Sequence, residues 1–341
     1  MPRHRIALVG LGMAVTPHAK SLLDLQDRVE VACAMSPTAT RRAAFATRFP
    51  FPTADSLGSI LADRSIGVAA VLTPPNTHLE IGSALARAGK HVLLEKPLDV
   101  STARAEQLVA VCRAAGVTLG VVLQHRFKPA AERLAAILRD RALGEIVNCS
   151  TSIRLWRPQS YYDEPGRGTK ARDGGGVLLT QGIHTLDLML SLAGPIAEVS
   201  SYAQTTPVHR METEDLVCAA VRFASGAVGV IDATTAAFPG GPERIELIGT
   251  KGAASLIGTA LDVQYLDGRC EQLAADASPD GTGADPMAFP HDYHLGVWRD
   301  FLDAIEAGRP PRVSGADALK VHRLIDALLE AGASGRKVDV R

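Results

Sequence analysis

The sequence predicts an α/β protein with two domains: a doubly wound parallel sheet comes first, and a region built on an antiparallel or mixed sheet follows. Three observations predict this class. The chain has 341 residues, which is long for one domain. Residues 5–124 alternate short β-branched runs with longer amphipathic stretches, as βαβ units do. From about Val147, strand candidates follow one another with few helices between them.

In the N-terminal half, each strand candidate is followed by a helical stretch. Strands are expected at Ile6–Val9, Val29–Met35, Val68–Leu72, His91–Leu94 and Val117–Leu123, and helices near residues 14–25, 38–48, 77–88 and 101–115. Ser101 is placed as an N-cap, and Gly89 and Gly116 are placed where helices end. We assign residues 1–124 to the first domain.

In the C-terminal half, residues 125–341, strands dominate. They are expected at 196–206, 214–223, 226–236, 243–249 and 253–257, and helices at Val177–Leu192, 293–306 and 315–331. Ser314 or Gly315 is expected to start the last helix and Gly332 to end it. Trp156–Asp173 is expected to be a polar, aromatic loop, and Ala274–Pro290 a mobile excursion.

Composition excludes several classes of function. The 36 basic and 37 acidic residues give a net charge of −1, so no overall field draws the chain to nucleic acid or anionic lipid. No apolar run reaches the roughly 18 residues of a membrane helix. The five cysteines are widely spaced, which favours reduced thiols and a cytoplasmic location. The start, Met1 to Ala19, also fits a secretory signal, although two glycines interrupt it.

A glycine turn directly follows the first predicted strand. In Gly10-Leu11-Gly12, the first glycine allows a tight turn and the second lets backbone N–H groups approach a pyrophosphate, with Met13 beside them. Val15 stands where the third glycine of this fingerprint would be. The motif predicts dinucleotide binding, and the alternative is a glycine turn without a nucleotide.

The end of the second strand indicates which dinucleotide is bound. Ser36 lies where an acidic residue would bind the ribose diol, and Arg41 and Arg42 follow on the next helix. A neutral hydroxyl with guanidinium groups suits a 2′-phosphate, so NADP(H) is favoured and NAD(H) is possible. The alternative is a solvated arginine pair on a surface helix.

The third βα turn offers a further cofactor contact. The segment contains Thr73, Pro74, Pro75, Asn76, Thr77 and His78. It lies at the carboxyl edge of the predicted sheet, where doubly wound folds bind ligands. Its residues are expected to line the dinucleotide, with Asn76 or Thr77 capping the next helix; the alternative is a rigid turn without a ligand role.

Six motifs occur in one order along the chain. They are Gly10-Leu11-Gly12 with His18, Thr73-Pro74-Pro75-Asn76-Thr77-His78, Gly89 to Pro97 with Glu95-Lys96-Pro97, Gly144-Glu145-Ile146, Gly174-Gly175-Gly176 with Gly182-Ile183-His184, and Asp300 to Ile305 with Gly308-Arg309-Pro310. With this set the chain resembles the glucose-fructose oxidoreductase and inositol dehydrogenase family (Gfo/Idh/MocA). The resemblance implies an N-terminal Rossmann domain with Glu95 and Lys96 at the cofactor, and a C-terminal α/β domain whose open mixed sheet forms a homodimer or homotetramer.

The resemblance also implies catalytic roles. It maps the lysine between nicotinamide and substrate hydroxyl onto Lys96, and a cis peptide onto Pro97. An Asp-x-x-x-His element falls on Thr180 to His184, where Thr180 holds no charge. We therefore interpret His184 as the acid/base, Lys96 as its electrostatic partner and Thr180 as a hydrogen-bonding group. Asp187 is expected either to fix the imidazole or to cap backbone.

Aromatic and basic residues before the glycine run suggest sugar recognition. The candidate substrate residues are Lys96, Arg126, Trp156, Tyr161, Tyr162, Arg167, Thr180 and His184. Aromatic faces bind sugar rings, and arginine binds carboxylates or phosphates. The alternatives are a solvated basic loop and, for Arg126, an inter-domain salt bridge. His291 and His294 have no third ligand in the sequence, so no metal is expected.

Together these features predict an NAD(P)-dependent oxidoreductase that moves a hydride between nicotinamide and a secondary alcohol or ketone of a sugar, sugar acid or cyclitol. Two alternatives remain at this point. One is a redox-assisted, NAD-dependent glycoside hydrolase, and the other is a non-catalytic dinucleotide sensor or scaffold.

Overall fold

The structure, a computed structural model, describes residues 3–275 and 290–341 and confirms the α/β class. Most of the expected excursion Ala274–Pro290 lies outside the described residues. The chain divides into two compact units. The first contains the described residues up to Leu123 and Pro290–Leu319, and the second contains those from Gln124 to residue 275 and Lys320–Arg341.

The first unit is built on a six-stranded parallel sheet with the order β3-β2-β1-β4-β5-β6. The strands are β1 His4–Val9, β2 Val29–Met35, β3 Thr53–Ala54, β4 Val68–Val71, β5 His91–Glu95 and β6 Leu119–Val122. The helices are α1 Val15–Asp24, α2 Ala39–Ala46, α3 Leu57–Ala62, α4 His78–Arg87 and α5 Thr102–Ala114. Every residue of β4 is buried, because helices cover both faces of a doubly wound sheet.

Local signals for the ends of these helices are confirmed. The hydroxyl of Ser101 accepts a hydrogen bond from the Arg104 backbone N–H, as an N-cap does. Gly89 and Gly116 adopt φ values of +75° and +67°, just beyond the ends of α4 and α5. The short elements β3 and α3 were not predicted.

The first unit also contains α11 Asp292–Ala307, which the sequence analysis had placed in the second domain. The reason is that α11 packs against α1, where the Trp298 indole N–H donates to His18 Nδ1 at 3.0 Å. Residues far apart in the chain thus share one core.

The second unit contains a nine-stranded sheet with the order β14-β13-β12-β11-β7-β10-β9-β8-β15. The strands are β7 Ile146–Arg154, β8 Ile196–Gln204, β9 Leu216–Phe223, β10 Val228–Thr234, β11 Arg244–Gly249, β12 Gly252–Ile257, β13 Ala260–Tyr265, β14 Cys270–Leu273 and β15 Val338–Asp339. Only β7 and β10 pair in parallel among the described strands, so the sheet is mixed and largely antiparallel, as predicted.

One face of this sheet is open. Along β9 buried residues alternate with exposed ones, which is the pattern of a sheet covered on one side. We call the exposed set Tyr202, Cys218, Ala220, Val228 and Val230 the open face; Tyr202 is 83% exposed.

The helices of the second unit differ from prediction at three places: the helix Pro129–Arg139 was not expected, one expected helix is broken, and an expected loop contains two short helices. The helices are α6 Pro129–Arg139, α7 Gln159–Tyr162, α8 Lys170–Asp173, α9 Val177–Thr180 and α10 Ile183–Ala193, and α12 Gly315–Ser334 follows α11. The expected single helix Val177–Leu192 breaks before Gly182, whose N–H donates to the Val177 carbonyl at 2.7 Å. The loop Trp156–Asp173 contains the short helices α7 and α8.

The ends of α12 follow local chemistry. Ser314 is confirmed at its start, since its hydroxyl accepts from the Asp317 N–H at 3.2 Å. Gly332 does not end the helix: a Cβ there would lie 2.9 Å from Ala203 Cβ, so this glycine allows close packing. Gly335, with φ +64°, follows the last helical residue instead.

Within residues 3–275 and 290–341, no single helix has the length and apolar character to cross a membrane. One pair bent by 47°, Lys170–Thr180 with Ile183–Ala193, meets that test by length and composition only.

Candidate active site

The glycine turn at the end of β1 has the geometry of a dinucleotide cradle. Gly10 adopts φ +108°, and a Cβ on it would lie 2.8 Å from the Leu72 carbonyl carbon and oxygen, so only glycine fits. A Cβ on Gly12 would meet nothing within 4 Å, and Met13 is half exposed. Val15 is buried in the core. The turn therefore leaves open space beside its backbone, as bound phosphate groups require.

The residues at the end of β2 are held in a defined arrangement. Ser36 is buried, and its hydroxyl accepts from the Thr38 N–H at 3.3 Å. Arg42 donates to the Ser36 carbonyl at 2.7 Å, while Arg41 is exposed. The Arg42 guanidinium thus lies against the end of β2, and Arg41 is the more accessible of the two arginines.

The loop after β4 is tied to the loop after β5 through His78. Its ring nitrogens face the carbonyls of Pro97 and Thr73, at 2.9 and 2.8 Å. His78 is completely buried, and burial lowers its pKa. This ring therefore positions the two loops instead of presenting a surface to a ligand, whereas Pro74 and Asn76 are exposed.

The Thr77 side chain does not cap the helix that follows it. Thr77 occupies the N-cap position of α4, but its hydroxyl donates to the Pro74 carbonyl at 2.8 Å and bonds to the Thr73 hydroxyl at 2.7 Å. The Asp99 carboxylate, from the loop after β5, instead accepts from the Leu79 N–H in the first turn of α4, at 2.9 Å.

Lys96 directly follows β5, at the carboxyl edge of the parallel sheet. Its backbone N–H donates to the Glu95 carboxylate at 3.0 Å, and the Lys96–Pro97 peptide is cis, as predicted. Burial opposes ionisation of Glu95, yet the bond from His18 holds its pKa below the usual value. Glu95 is thus a fixed anion beside the candidate catalytic lysine.

The bonds of His18 determine its tautomer. Because Trp298 donates to Nδ1, the proton lies on Nε2, which donates to Glu95 Oε1 at 3.0 Å. His294 Nε2 lies 3.9 Å from the same oxygen, and burial lowers the His294 pKa to about 3.

These three side chains are close enough together to suggest a metal site, with their ligand atoms within 4.8 Å. A cation on His18 Nε2 would displace its proton, and Trp298 would leave no place for that proton on Nδ1. We therefore assign the group His18, Glu95 and His294 to structure.

In the second unit, His184 lies in the first turn of α10 and is partly buried. Its ring centroid is 4.9 Å from that of His125, with 32° between the ring planes. His125 Nδ1 in turn lies 3.5 Å from Glu243 Oε2. Glu243 was not among the residues predicted from the sequence.

The other residues around His184 are engaged. The Thr180 hydroxyl donates to the Gly176 carbonyl at 2.6 Å and also bonds to Gln181. Asp187 accepts two hydrogen bonds from the Arg126 guanidinium, at 2.7 and 2.6 Å. This salt bridge of Arg126 lies within the second unit.

The glycine run before α9 is shaped by Glu214. A Cβ on Gly176 would lie 1.8 Å from the Glu214 carbonyl oxygen, so the backbones touch. The Glu214 carboxylate accepts from the N–H groups of Gly176 and Leu178 at 3.1 and 3.2 Å. This contact fixes the segment that leads to Thr180 and His184.

The aromatic loop has an accessible part and a buried part. Arg167 lies over the Tyr161 ring at 4.2 Å and donates to its hydroxyl at 2.7 Å. Both are partly exposed, as is Trp156. Tyr162, in contrast, is buried with its hydroxyl bonded to Thr235 at 2.8 Å, so its position is structural.

A buried histidine, missed in the sequence, anchors this loop. His209 Nδ1 bonds to Asp215 at 2.7 Å, and Nε2 bonds to the Arg157 carbonyl at 2.8 Å. Both ring nitrogens are thus held by acceptors, which fixes the orientation of the ring. The pair is distant in sequence from the loop it holds, so only the fold reveals it.

The parallel sheet, its glycine cradle and the lysine at its edge define a dinucleotide-dependent oxidoreductase. Residues 4–123 match the family described as "Oxidoreductase family, NAD-binding Rossmann fold", and residues 131–255 match the "GFO/IDH/MocA C-terminal domain". The chain belongs to the GFO/IDH/MocA oxidoreductase family, which confirms the resemblance and the predicted enzyme class.

Curated relatives match most of the chain. It is 26% identical over 322 residues to myo-inositol 2-dehydrogenase of Thermotoga maritima, covering 92% of this chain and 91% of the relative. It is 26% identical to D-xylose 1-dehydrogenase (NADP(+)) 2 of Haloferax volcanii, covering 91% and 92%. Among solved structures, the WlbA dehydrogenase of Bordetella pertussis with NADH and UDP-GlcNAcA has a TM-score of 0.85 and 26% identity, covering 100% and 99%.

Proposed function

We propose that this enzyme moves a hydride between a nicotinamide dinucleotide and a secondary alcohol or ketone of a sugar, sugar acid or cyclitol. The observation that carries the proposal is the position of Lys96: it follows β5 at the same sheet edge as the glycine cradle. Relatives named for myo-inositol, D-xylose and levoglucosan support this substrate class.

In this proposal, residues at the sheet edge hold the dinucleotide. Those residues are Gly10, Gly12, Met13, Ser36, Arg41, Arg42, Thr73, Pro74, Asn76, Glu95 and Lys96, with His78 positioning their loops. The nicotinamide, when bound, would accept the hydride from an alcohol or donate it to a ketone. Ser36 and the accessible Arg41 favour NADP(H) over NAD(H), because a hydroxyl at position 36 does not repel a 2′-phosphate as a carboxylate would.

The protein's own groups handle the proton. When an alcohol is oxidised, its hydroxyl proton must leave as hydride departs from carbon. Lys96 donates a hydrogen bond to the substrate oxygen, and His184 accepts the proton. Thr180, whose hydroxyl is bonded to backbone, holds the start of α10 in place.

In this proposal, the accessible aromatic and basic side chains select the substrate. Trp156 and Tyr161 offer ring faces, and Arg167 offers a guanidinium suited to hydroxyl or carboxylate oxygens. Arg126 acts indirectly through Asp187. Tyr162 is removed from the set of substrate contacts because it is buried.

The open face is proposed as the interface of a homodimer or homotetramer. It exposes Tyr202, Val228 and Val230 on neighbouring strands, and contiguous apolar surface of this kind marks association sites. All five cysteines are free thiols, which supports a working place in the reducing cytoplasm.

The test is a spectrophotometric screen of NADP⁺ and NAD⁺ reduction with myo-inositol, D-xylose, levoglucosan and sugar acids. Net reduction by at least one of these alcohols is expected, faster with NADP⁺. Glycoside cleavage without net cofactor reduction would indicate the redox-assisted hydrolase. Tight cofactor binding with no turnover of any substrate would indicate a sensor or scaffold.

A further inference from the structure

A histidine that accepts a proton is usually held in orientation by a second polar group, and the ring nearest to His184 among the described contacts is that of His125. A general base must present one nitrogen to its substrate, so free rotation of the ring reduces its efficiency. Around His184, Thr180 is bonded to backbone and Asp187 holds Arg126. The ring of His125, in contrast, lies against that of His184 at 4.9 Å.

His125 is itself anchored. Its Nδ1 lies 3.5 Å from the Glu243 carboxylate, and the two side chains are only 14% and 12% exposed. The Glu243 backbone carbonyl accepts from the Gly258 N–H at 2.8 Å, which fixes this residue at the start of β11. A shielded carboxylate beside an imidazole interacts more strongly than a solvated one.

We propose that His125, anchored by Glu243, is the positioning residue for His184. Contact between the two rings fixes the plane of the His184 imidazole. The Glu243 carboxylate supplies a negative charge next to the ring pair, and this charge stabilises the imidazolium that forms when His184 takes the proton. Thr180 does not supply such a charge. The inference rests on the proposed function, because His125 acts only through His184 as the proton acceptor.

Steady-state kinetics with the best alcohol of the screen tests the pair. Glu243→Gln keeps shape and removes charge, and is expected to lower kcat by about 10- to 100-fold with little change in KM. His125→Ala is expected to lose as much, whereas His125→Phe keeps the ring face and recovers part of kcat. Glu246→Gln, whose partly exposed carboxylate lies on β11 three residues after Glu243, is the matched control and is expected to match wild type.

A second measurement requires no turnover, and it stays informative even if Glu243→Gln fails to fold. Side-chain nitrogen NMR of the whole protein, with His184→Ala for assignment, is expected to show the His184 ring in one tautomer in wild type. In His125→Ala its signals are expected to shift or broaden. Unchanged His184 signals together with wild-type kcat in Glu243→Gln would overturn the proposal.

The two proposals fail in different ways. If His184→Ala keeps full turnover, His184 is not the proton acceptor and the proposed mechanism is wrong. If His184→Ala is inactive while both Glu243→Gln and His125→Ala keep wild-type kcat, the mechanism stands and only the positioning role of His125 is wrong.

Discussion

The carboxylate of Asp187 accepts two hydrogen bonds from the guanidinium of Arg126, one from Nε at 2.7 Å and one from a terminal nitrogen at 2.6 Å. Asp187 is fully buried, and Arg126 is 15% exposed. The pair joins the turn that carries His125 to the helix that carries His184. Such a pair is more sensitive to the loss of one partner than to replacement of both.

Arg126→Met is therefore expected to destabilise the protein by about 3–5 kcal/mol, because it leaves a buried carboxylate without its cation. Urea unfolding measures the loss. The double variant Arg126→Met with Asp187→Leu is expected to recover most of it, and the exposed Arg139→Met serves as control. If the free energy of unfolding of Arg126→Met lies within about 1 kcal/mol of the wild-type value, the ion pair does not contribute to stability.

The buried His294 predicts how stability changes with pH. Burial lowers its pKa to about 3, so the folded protein keeps it neutral while the unfolded chain protonates it below its usual value of 6.5. Its contribution is present above pH 6.5 and is lost as pH falls toward 3. His294→Gln is expected to remove about 2 kcal/mol of the decline between pH 7 and pH 5.

Urea midpoints measured across that range check this prediction. His4→Gln, which alters a partly exposed histidine, is the control. An identical decline in wild type and His294→Gln would show that other groups cause it.

The proposed preference for NADP(H) rests on the residues at the end of β2. Ser36→Asp is expected to shift the NADPH-to-NADH ratio of kcat/KM toward NADH by about tenfold or more, since a carboxylate repels a 2′-phosphate and binds a ribose diol. Arg41→Ala is expected to weaken NADP⁺ binding without affecting NAD⁺. If the NADPH-to-NADH ratio of kcat/KM is unaltered in both variants, Ser36 and Arg41 do not determine the cofactor preference.

The proposed mechanism assigns turnover to Lys96 and His184. Lys96→Ala and His184→Ala are each expected to lower kcat by about 100-fold or more while dinucleotide binding persists, because the glycine cradle and the other residues at the sheet edge still hold the cofactor. Fluorescence titration with reduced cofactor measures the binding. Complete loss of binding in Lys96→Ala would mean that the lysine acts mainly as the cofactor anchor.

Local signals predicted the first sheet well, because each buried parallel strand is a continuous apolar run bounded by turns. Gly89, Gly116 and Ser101 mark helix ends through their own backbone or side-chain chemistry. The strand β7 was missed because its inward positions include the small, polar residues Cys149 and Thr151. No periodicity distinguishes such a strand from a loop.

Candidate site residues could be proposed from the sequence only where they lie in a local motif. Lys96 and the glycine turn were proposed because each follows a predicted strand directly, and the structure places both at strand ends. Glu243 and His209 were missed, since their partners lie on other strands and turns. The break before Gly182 depends on a backbone bond that hydrophobic spacing does not reveal.

The most direct test of the central claim is the fate of the carbinol hydrogen. An active alcohol from the screen, deuterated at its reacting carbon, is incubated with enzyme and oxidised cofactor, and the reduced nicotinamide is analysed by mass spectrometry. The account predicts that the deuterium appears on the nicotinamide ring. Deuterium that stays in the sugar, or that passes to water, would contradict it.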